Sequence, residues 1–274
     1  MDTTSLVRDM PANEYHAVQA MSSGGLRRMR QSPAHYYGAM LDPARPVSTP
    51  TPAMRNGTLV HCAIFEPDAL SQRYVMQPAE VDLRTKAGKE WRAAQTAEIV
   101  APDEMNRAIA QASALRSLPE IARLLSSGYP ESSAFWQDSE TGVLCKCRPD
   151  WVYDTGYGVI LLDGKTAKDA SPDGFAKSSW NFRYDLQAAW YSDGFERATG
   201  QRVLGFVFGA VESEWPHCAA AYMLPDDVLD AARREIRRLV RQYADCLQRN
   251  HWPGYPAGVT LLTMPRWAQL EIDE

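Results

Sequence analysis

Two polar clusters follow apolar stretches in the middle of the chain. The first is Cys147-Arg148-Pro149-Asp150, and the second is Leu162-Asp163-Gly164-Lys165. Each closes a short apolar run that is typical of a β-strand. Two carboxylates and a lysine at the ends of adjacent strands can hold a divalent metal ion and a polarised water. Because this combination can hydrolyse a phosphodiester bond, a nuclease is the first hypothesis.

Strand geometry gives these side chains a direction. Asp150 lies on the polar face of a predicted strand at 143–151, where apolar residues and cysteines alternate with polar ones. The next predicted strand, 158–163, is apolar on both faces before its end, which indicates a central, buried strand. Asp163 and Lys165 are two apart and therefore share a face. A structural ion pair between Lys165 and a nearby aspartate is the alternative, and the upstream Asp150 is what favours a metal site.

The order of predicted elements indicates an α/β fold. Helices dominate the first part of the chain, three strands follow, and helices then alternate with two further strands. The strands are predicted at 131–137, 143–151, 158–163, 202–210 and 217–223, and the main helices at 53–65, 85–98, 102–125, 171–179, 184–199 and 225–250. We expect one domain over 1–274, with a mainly helical N-terminal part (1–130), a catalytic core (131–250) and a Pro/Gly-rich tail (251–274).

Composition narrows the class of protein. The 274 residues are 45% hydrophobic and 23% charged, as in an ordinary soluble domain. No apolar run is long enough to predict a membrane span, and the N-terminus lacks the pattern of a secretion signal, so we expect a cytoplasmic protein. The net charge of -5 argues against a protein that coats nucleic acid indiscriminately, but permits a nuclease with one basic groove. The five cysteines contain no Cys-x-x-Cys pair, so a zinc ribbon is not expected.

Four segments, taken in order, resemble the motif series of RecB-type nucleases, which belong to the PD-(D/E)xK superfamily. They are Gly57-Thr58-Leu59-Val60-His61, Arg148-Pro149-Asp150, Asp163-Gly164-Lys165-Thr166 and Gln187-Ala188-Ala189-Trp190-Tyr191. The similarity is strongest to the phage- and prophage-encoded exonuclease VIII (RecE-like) group and covers most of residues 14–223. It implies a PD-(D/E)xK core, a mixed central β-sheet flanked by helices, with an N-terminal helical elaboration.

The resemblance also implies a set of metal ligands. His61, Asp150 and Asp163 would ligate magnesium, with manganese as an alternative, and the Gly164 carbonyl would add an oxygen. Glu131 resembles an acidic residue that often supports this kind of site. Gly164 departs from many relatives, which carry a bulky apolar residue there. Because that side chain would point away from the metal, activity should survive the difference.

Further roles follow from the same resemblance. Lys165 would position the attacking water, while Gln187 and Tyr191 would orient the site and contact the DNA backbone. Some RecB-type nucleases bind an iron–sulfur cluster through four cysteines, three of them near the C-terminus. Only Cys218 and Cys246 follow Tyr191 here, so we expect no cluster.

Several residues are candidates for contact with DNA. Arg27 and Arg28 follow a predicted helix start, and related exonucleases grip the 5′ phosphate in a basic pocket. Arg148 lies on the polar face of its predicted strand. Trp151 and Trp180 flank the active-site segments and could stack on unpaired bases, although most tryptophans pack in the core.

The resemblance finally implies a substrate and partners. We expect digestion of linear double-stranded DNA from the 5′ end, which leaves 3′ single-stranded tails for a single-strand annealing recombinase. A homo-oligomeric ring around DNA is expected, and no membrane association. Two alternatives stay open: a structure- or sequence-specific endonuclease of the same fold, and a non-catalytic protein that binds DNA ends.

Overall fold

The computed structural model describes residues 4–46 and 49–264. Its helices and strands, in chain order, are β1 (Ser5–Val7), α1 (Ala12–Ala17), α2 (Ser23–Gln31), α3 (Pro33–Tyr36), α4 (Pro52–Phe65), α5 (Leu70–Arg73), β2 (Tyr74–Met76), α6 (Lys86–Ala93), β3 (Glu98–Val100), α7 (Pro102–Arg116), α8 (Pro119–Leu125), β4 (Tyr129–Pro130), β5 (Ser133–Gln137), β6 (Leu144–Cys147), β7 (Trp151–Asp154), β8 (Val159–Ala167), α9 (Pro172–Phe182), α10 (Tyr184–Thr199), β9 (Val203–Glu212), β10 (Ala219–Tyr222) and α11 (Asp226–Arg249). A π-helical turn (Tyr37–Leu41) follows α3, and a 3-10 turn (Pro67–Ala69) precedes α5.

A five-stranded mixed sheet forms the centre, in the order β10-β9-β8-β7-β4. The β8–β9 pair is parallel, and the other neighbours are antiparallel. The parallel pair needs a crossover, which α9 and α10 supply. A separate antiparallel sheet has the order β1-β5-β6, and β2 and β3 form a short parallel pair. This arrangement confirms the predicted α/β fold with a mixed central sheet flanked by helices.

The alternation of β8 divides the apolar core in two. Leu161 packs with the core that includes α10 and α11, whereas Leu162 packs with α4, α7 and α8. Both leucines are fully buried, as expected for a central strand covered by helices on both faces. Residues Asp163 and Lys165 therefore share the α10 face, and Gly164 faces α4.

Buried ion pairs fix the start of α10. Arg183, in the left-handed conformation with φ 55°, separates α9 from α10. Its guanidinium donates to both oxygens of Asp185, at 2.9 and 2.8 Å, and to Glu235 of α11 at 2.6 Å. Because Arg183 and Asp185 are both buried, separating them would leave the Asp185 carboxylate buried without its cation, so this junction is held firmly.

The predicted strand at 143–151 is wrong, because the chain leaves one sheet and enters another within it. β6 pairs with β5 in the smaller sheet, and β7 pairs with β8 in the central sheet. Pro149 lies between them, and its missing N–H cannot extend a ladder of hydrogen bonds. The polar face expected for this strand is also wrong at Lys146, which is buried and donates to the carbonyls of Tyr15 and Val18 at 2.7 Å.

Other boundaries differ as well. The predicted helix at 102–125 is two helices, since Pro119 begins α8 after the first has ended. The predicted helix at 85–98 ends at Ala93, and Glu98 already belongs to β3. Among the described residues, no helix combines the length and the apolar character that crossing a bilayer requires.

Candidate active site

Asp163 and Lys165 lie within β8 and not at its end as predicted, because the strand continues to Ala167. The Lys165 ammonium donates to Oδ1 of Asp163, and the Gln187 side-chain amide donates to Oδ2. Gln187 lies in the first turn of α10, which packs on this face of the sheet. Both oxygens of the Asp163 carboxylate are therefore held by donors from two elements.

Asp150 comes next to Asp163 through strand pairing. Trp151 lies opposite Leu162 in the β7–β8 ladder, so the preceding residue lies opposite Asp163. Oδ2 of Asp150 accepts a hydrogen bond from the Gly164 backbone N–H at 2.7 Å. The turn at Pro149 thus delivers a second carboxylate to the middle of β8.

His61 and Glu131 complete a cluster around Asp150. His61 of α4 donates from Nε2 to Oδ2 of Asp150 at 2.7 Å, and its Nδ1 lies 3.4 Å from Oε1 of Glu131. Ligand atoms of these three residues lie within 4.8 Å of one another. Glu131 precedes β5 in the left-handed conformation, φ 51°, and Arg148 binds its other oxygen. This strained backbone aims the carboxylate inward, and Arg148 holds it there.

Gly164 explains how α4 comes close enough to deliver His61. A Cβ at Gly164 would lie 2.8 Å from the ring of Phe65, which is closer than side-chain atoms pack. Phe65 in turn lies against the His61 ring, with 4.7 Å between centroids. A side chain at this position would point toward α4, whereas Asp163 faces α10.

Burial and the neighbouring charges shift the pKa values of the site residues. Burial, and next the charge of Asp150, raise the pKa of Asp163 to about 6, although Lys165 opposes the shift. Burial works against ionisation of His61, but the charge and hydrogen bond of Asp150 outweigh it and raise the pKa of the imidazole to about 9. Burial likewise opposes ionisation of Asp150, whose pKa is nevertheless lowered by His61. Of the two aspartates, Asp163 is therefore the one whose ionised form is unfavourable.

This donor set fits a divalent cation. Carboxylates and an imidazole are common ligands of such ions, and an ion would offset the burial and the repulsion from Asp150 that raise the pKa of Asp163. His61, Glu131 and Asp150 line an open cleft of about 550 Å³ together with Lys165. The arrangement can therefore hold a cation beside an ammonium group, in a cleft wide enough for part of a nucleic acid strand.

The aromatic residues predicted to orient the site or to contact DNA differ in how far they are exposed. Tyr191 lies one turn after Gln187 on α10, and burial raises its pKa well above the ordinary value. The Trp151 indole N–H donates to the carbonyls of Leu124 and Ser127, at 2.9 and 3.2 Å, so its ring packs beside α8. Trp180 is 69% exposed. Trp180 thus offers a free aromatic face, and Trp151 does not.

The three arginines predicted to contact DNA also differ in exposure. Arg27 is exposed, and its Nη1 donates to the carbonyl of Phe182, at the turn before α10, at 3.3 Å. Arg28 is exposed as well. Arg148 is largely buried and forms an ion pair with Glu131, so its first contact is with the cluster itself.

Tyr184 was missed by sequence reasoning. It lines the cleft, and the Lys165 ammonium lies 4.9 Å from the centroid of its ring. The signal was available, because Tyr184 precedes Gln187 by three residues, and residues at this spacing share a helix face. The tyrosine therefore forms one wall of the site beside the ammonium group.

Comparisons with known proteins bear on the fold and the family of the chain. A solved structure from Eubacterium rectale, described as a “Putative exonuclease”, superposes with a TM-score of 0.58 at 14% identity, over 92% of this chain and 97% of that chain. A second solved structure, that of SSO0001, has a TM-score of only 0.28 at 13% identity, over 67% of this chain and 86% of that one, which is too low to support an argument. No curated protein matches the sequence. The sequence profile of a PDDEXK-like domain of unknown function (DUF3799) matches residues 22–262, and the chain belongs to that family.

Proposed function

We propose that this protein is a metal-dependent exodeoxyribonuclease that degrades linear double-stranded DNA. The observation that carries the proposal is an open cleft lined by His61, Asp150 and Lys165, with the buried carboxylate of Asp163 bound to Lys165. Strand β8, the residue that precedes β7, and helix α4 deliver largely buried charges to the same place. Buried charges without a ligand are costly, so such a cluster in a cleft is typical of a functional site.

Each residue has a defined task in this proposal. His61, Asp150 and Asp163, with the Gly164 carbonyl, would hold magnesium or manganese, and Glu131 would support them. When bound, the cation supplies an acidified water and neutralises charge on the phosphate.

The other groups act through hydrogen bonds and charge. The Lys165 ammonium, already beside Asp163, would orient the attacking water and stabilise the negative charge that builds up on the phosphate. Gln187 fixes the second oxygen of Asp163, and Tyr191 packs behind it on the same helix face. This division of work predicts that Lys165 affects the rate, while Gln187 affects how well the carboxylate is held.

The finer parts of the proposal rest on the resemblance to the exonuclease VIII group. They are the 5′ to 3′ direction, the 3′ single-stranded product, the annealing recombinase that would use it, and a homo-oligomeric ring. The description of the Eubacterium rectale protein as an exonuclease supports the dependence on DNA ends. A ring also suits a chain with a net charge of -5, because encirclement can retain DNA where overall charge does not.

Digestion of end-labelled duplexes tests the proposal. Linear duplexes with a 5′ or a 3′ label are incubated in magnesium and, separately, in a chelator. We expect early release of the 5′ label as mononucleotide, retention of the 3′ label on long fragments, and no reaction in the chelator. Intact linear duplex in the presence of magnesium contradicts the proposal.

Closed circular DNA and one variant separate the alternatives. An exonuclease leaves covalently closed circles intact, whereas an endonuclease of the same fold cuts them. A non-catalytic end-binding protein cuts neither. Loss of cleavage in Asp163→Ala assigns the activity to this site and excludes a contaminating nuclease.

A further inference from the structure

Two exposed aromatic side chains lie at the C-terminal end of α9, close to the first residue of α10, Tyr184, which lines the active-site cleft. Tyr184 lies beside the Lys165 ammonium. The ring of Phe182 stacks on that of Tyr184, with 5.8 Å between centroids and 25° between planes. Phe182 is 55% exposed and Trp180 is 69% exposed. We call Phe182 and Trp180 the aromatic step.

The aromatic step is held on a rigid support. Arg183 lies between the step and Tyr184, and its buried ion pairs to Asp185 and Glu235 fix the turn. The same guanidinium lies 5.6 Å from the centroid of the Trp180 ring. Large apolar rings normally lose water by packing inward, so rings displayed on a fixed turn next to a cleft indicate a ligand with flat apolar faces.

Positive charge accompanies these rings. Arg27 approaches the step from α2 and donates to the Phe182 carbonyl through Nη1, which leaves the rest of its exposed guanidinium available. Flat rings beside an arginine match the two parts of a nucleotide, because bases stack on aromatic faces and phosphates bind guanidinium groups.

We propose that the aromatic step stacks unpaired bases of the DNA strand that is cut, with Arg27 on the adjoining phosphate. The inference rests on the proposed function, which places the scissile phosphate beside Lys165. Bases inside a duplex have both faces covered by the neighbouring pairs, so the strand must be single-stranded where its bases stack on Phe182 and Trp180. The substrate engaged by this site is therefore a DNA end whose last base pairs are open.

Binding to a short single strand tests the step without cleavage. The probe is a fluorescently labelled dT oligonucleotide of about 12 nucleotides, a length in the range of single-strand binding sites, measured at low salt in a chelator. The variants are Phe182→Ala, Trp180→Ala and the double variant. Trp215→Ala is the matched control, since Trp215 is 83% exposed but lies on the loop between β9 and β10.

The expected loss of affinity follows from the energy of base–aromatic stacking. The double variant should bind the oligonucleotide about 5-fold to 100-fold more weakly, and the control should match the wild type. An abasic strand of the same length keeps the phosphates and lacks the rings. The abasic strand should bind wild type and the double variant equally weakly. This result would separate a loss of stacking from a general loss of charge or of folding.

Cleavage adds a second readout. In magnesium, wild type should degrade a duplex with two mismatched terminal pairs faster than a fully paired one, and the double variant should lose part of that advantage. Phe182→Tyr, which keeps a flat ring, should restore binding where Phe182→Ala does not.

Equal affinities of wild type and double variant for the dT strand, whether both are tight or both are absent, overturn the inference. A change in the sedimentation of the double variant without a change in oligonucleotide binding also overturns it, because the rings would then join copies of the chain. Failure of the proposed function has a different signature. Stacking in the chelator together with intact DNA in magnesium would keep the step and remove the nuclease.

Discussion

Asp163→Asn should stabilise the metal-free protein while it abolishes cleavage. Asparagine has nearly the shape of a protonated aspartate, and the folded environment favours that neutral form. Burial and Asp150 raise the pKa of Asp163 from 3.8 to about 6. A displacement of this size corresponds to ~3 kcal/mol that ionised Asp163 costs the folded state at neutral pH.

The sign of the pH dependence follows from the raised pKa. Above the ordinary carboxyl pKa the unfolded chain has lost this proton while the folded protein keeps it, so stability falls as pH rises. The loss grows from about pH 4 to about pH 6 and is constant at higher pH. In a chelator, Asp163→Asn should therefore exceed wild type in free energy of unfolding by up to ~3 kcal/mol at pH 7.5, and by less at pH 5.

Magnesium should largely cancel this difference. A ligand that binds only the folded state adds ~2.7 kcal/mol at about 100 times its Kd, and the variant should lose most of this gain. Urea unfolding of wild type and variant, at pH 5 and at pH 7.5, with chelator and with magnesium, measures the free energy of unfolding under each of the four conditions. Asp154→Asn, which changes an exposed carboxylate on the neighbouring β7, is the control and should change stability by less than ~0.5 kcal/mol. A variant less stable than wild type in the chelator at pH 7.5 would show that Asp163 is an ordinary ion-pair partner of Lys165.

Three further substitutions test separate parts of the site. Lys165→Met should lower the single-turnover cleavage rate by about 100-fold or more, as loss of one preorganised donor does, while magnesium still stabilises the protein against urea. Arg148→Met should weaken magnesium binding about 10-fold to 100-fold, because Glu131 loses the partner that holds its carboxylate, and a magnesium titration of the cleavage rate should show near-normal activity at saturation. Gly164→Leu should cost ~1–3 kcal/mol of stability, measured by urea unfolding, because its side chain would push against Phe65, and cleavage should fall as α4 carries His61 away from Asp150.

The sequence predicted the centre of the fold more reliably than its edges. The long helices α10 and α11 lie close to their predicted bounds, because their periodicity extends over many residues, and the start of β8 was also predicted correctly. β1, β2 and β3 have three residues each, too few to establish an alternating pattern. Their strand geometry depends on partners that are distant in sequence, so no local signal marks them.

The sequence likewise predicts some features of the candidate site and not others. The pairing of Asp163 with Lys165 follows from strand alternation alone, whereas the arrival of His61 from α4 was expected only through the family resemblance. The break at Pro149 was hidden, because polar and apolar residues keep alternating across the change of sheet. The bond from Arg148 to Glu131 joins residues on either side of that break, and Glu131 reaches it through a left-handed backbone conformation. Such a conformation in a non-glycine residue has no sequence signature.

The cluster lies in the middle of the sheet and needs the helices on both of its faces. Asp163 and Lys165 face α10, while Gly164 between them faces α4, so adjacent residues of one strand recruit helices from both layers. Neither helix layer can assemble the cluster alone, because Gln187 comes from one and His61 from the other. Burial, and next the charge of Asp150, raise the pKa of Asp163, so its ionised form is unfavourable until a cation is present. Rigid packing on both faces is therefore what keeps these charges together, and substitutions that loosen either layer should weaken metal binding before they unfold the domain.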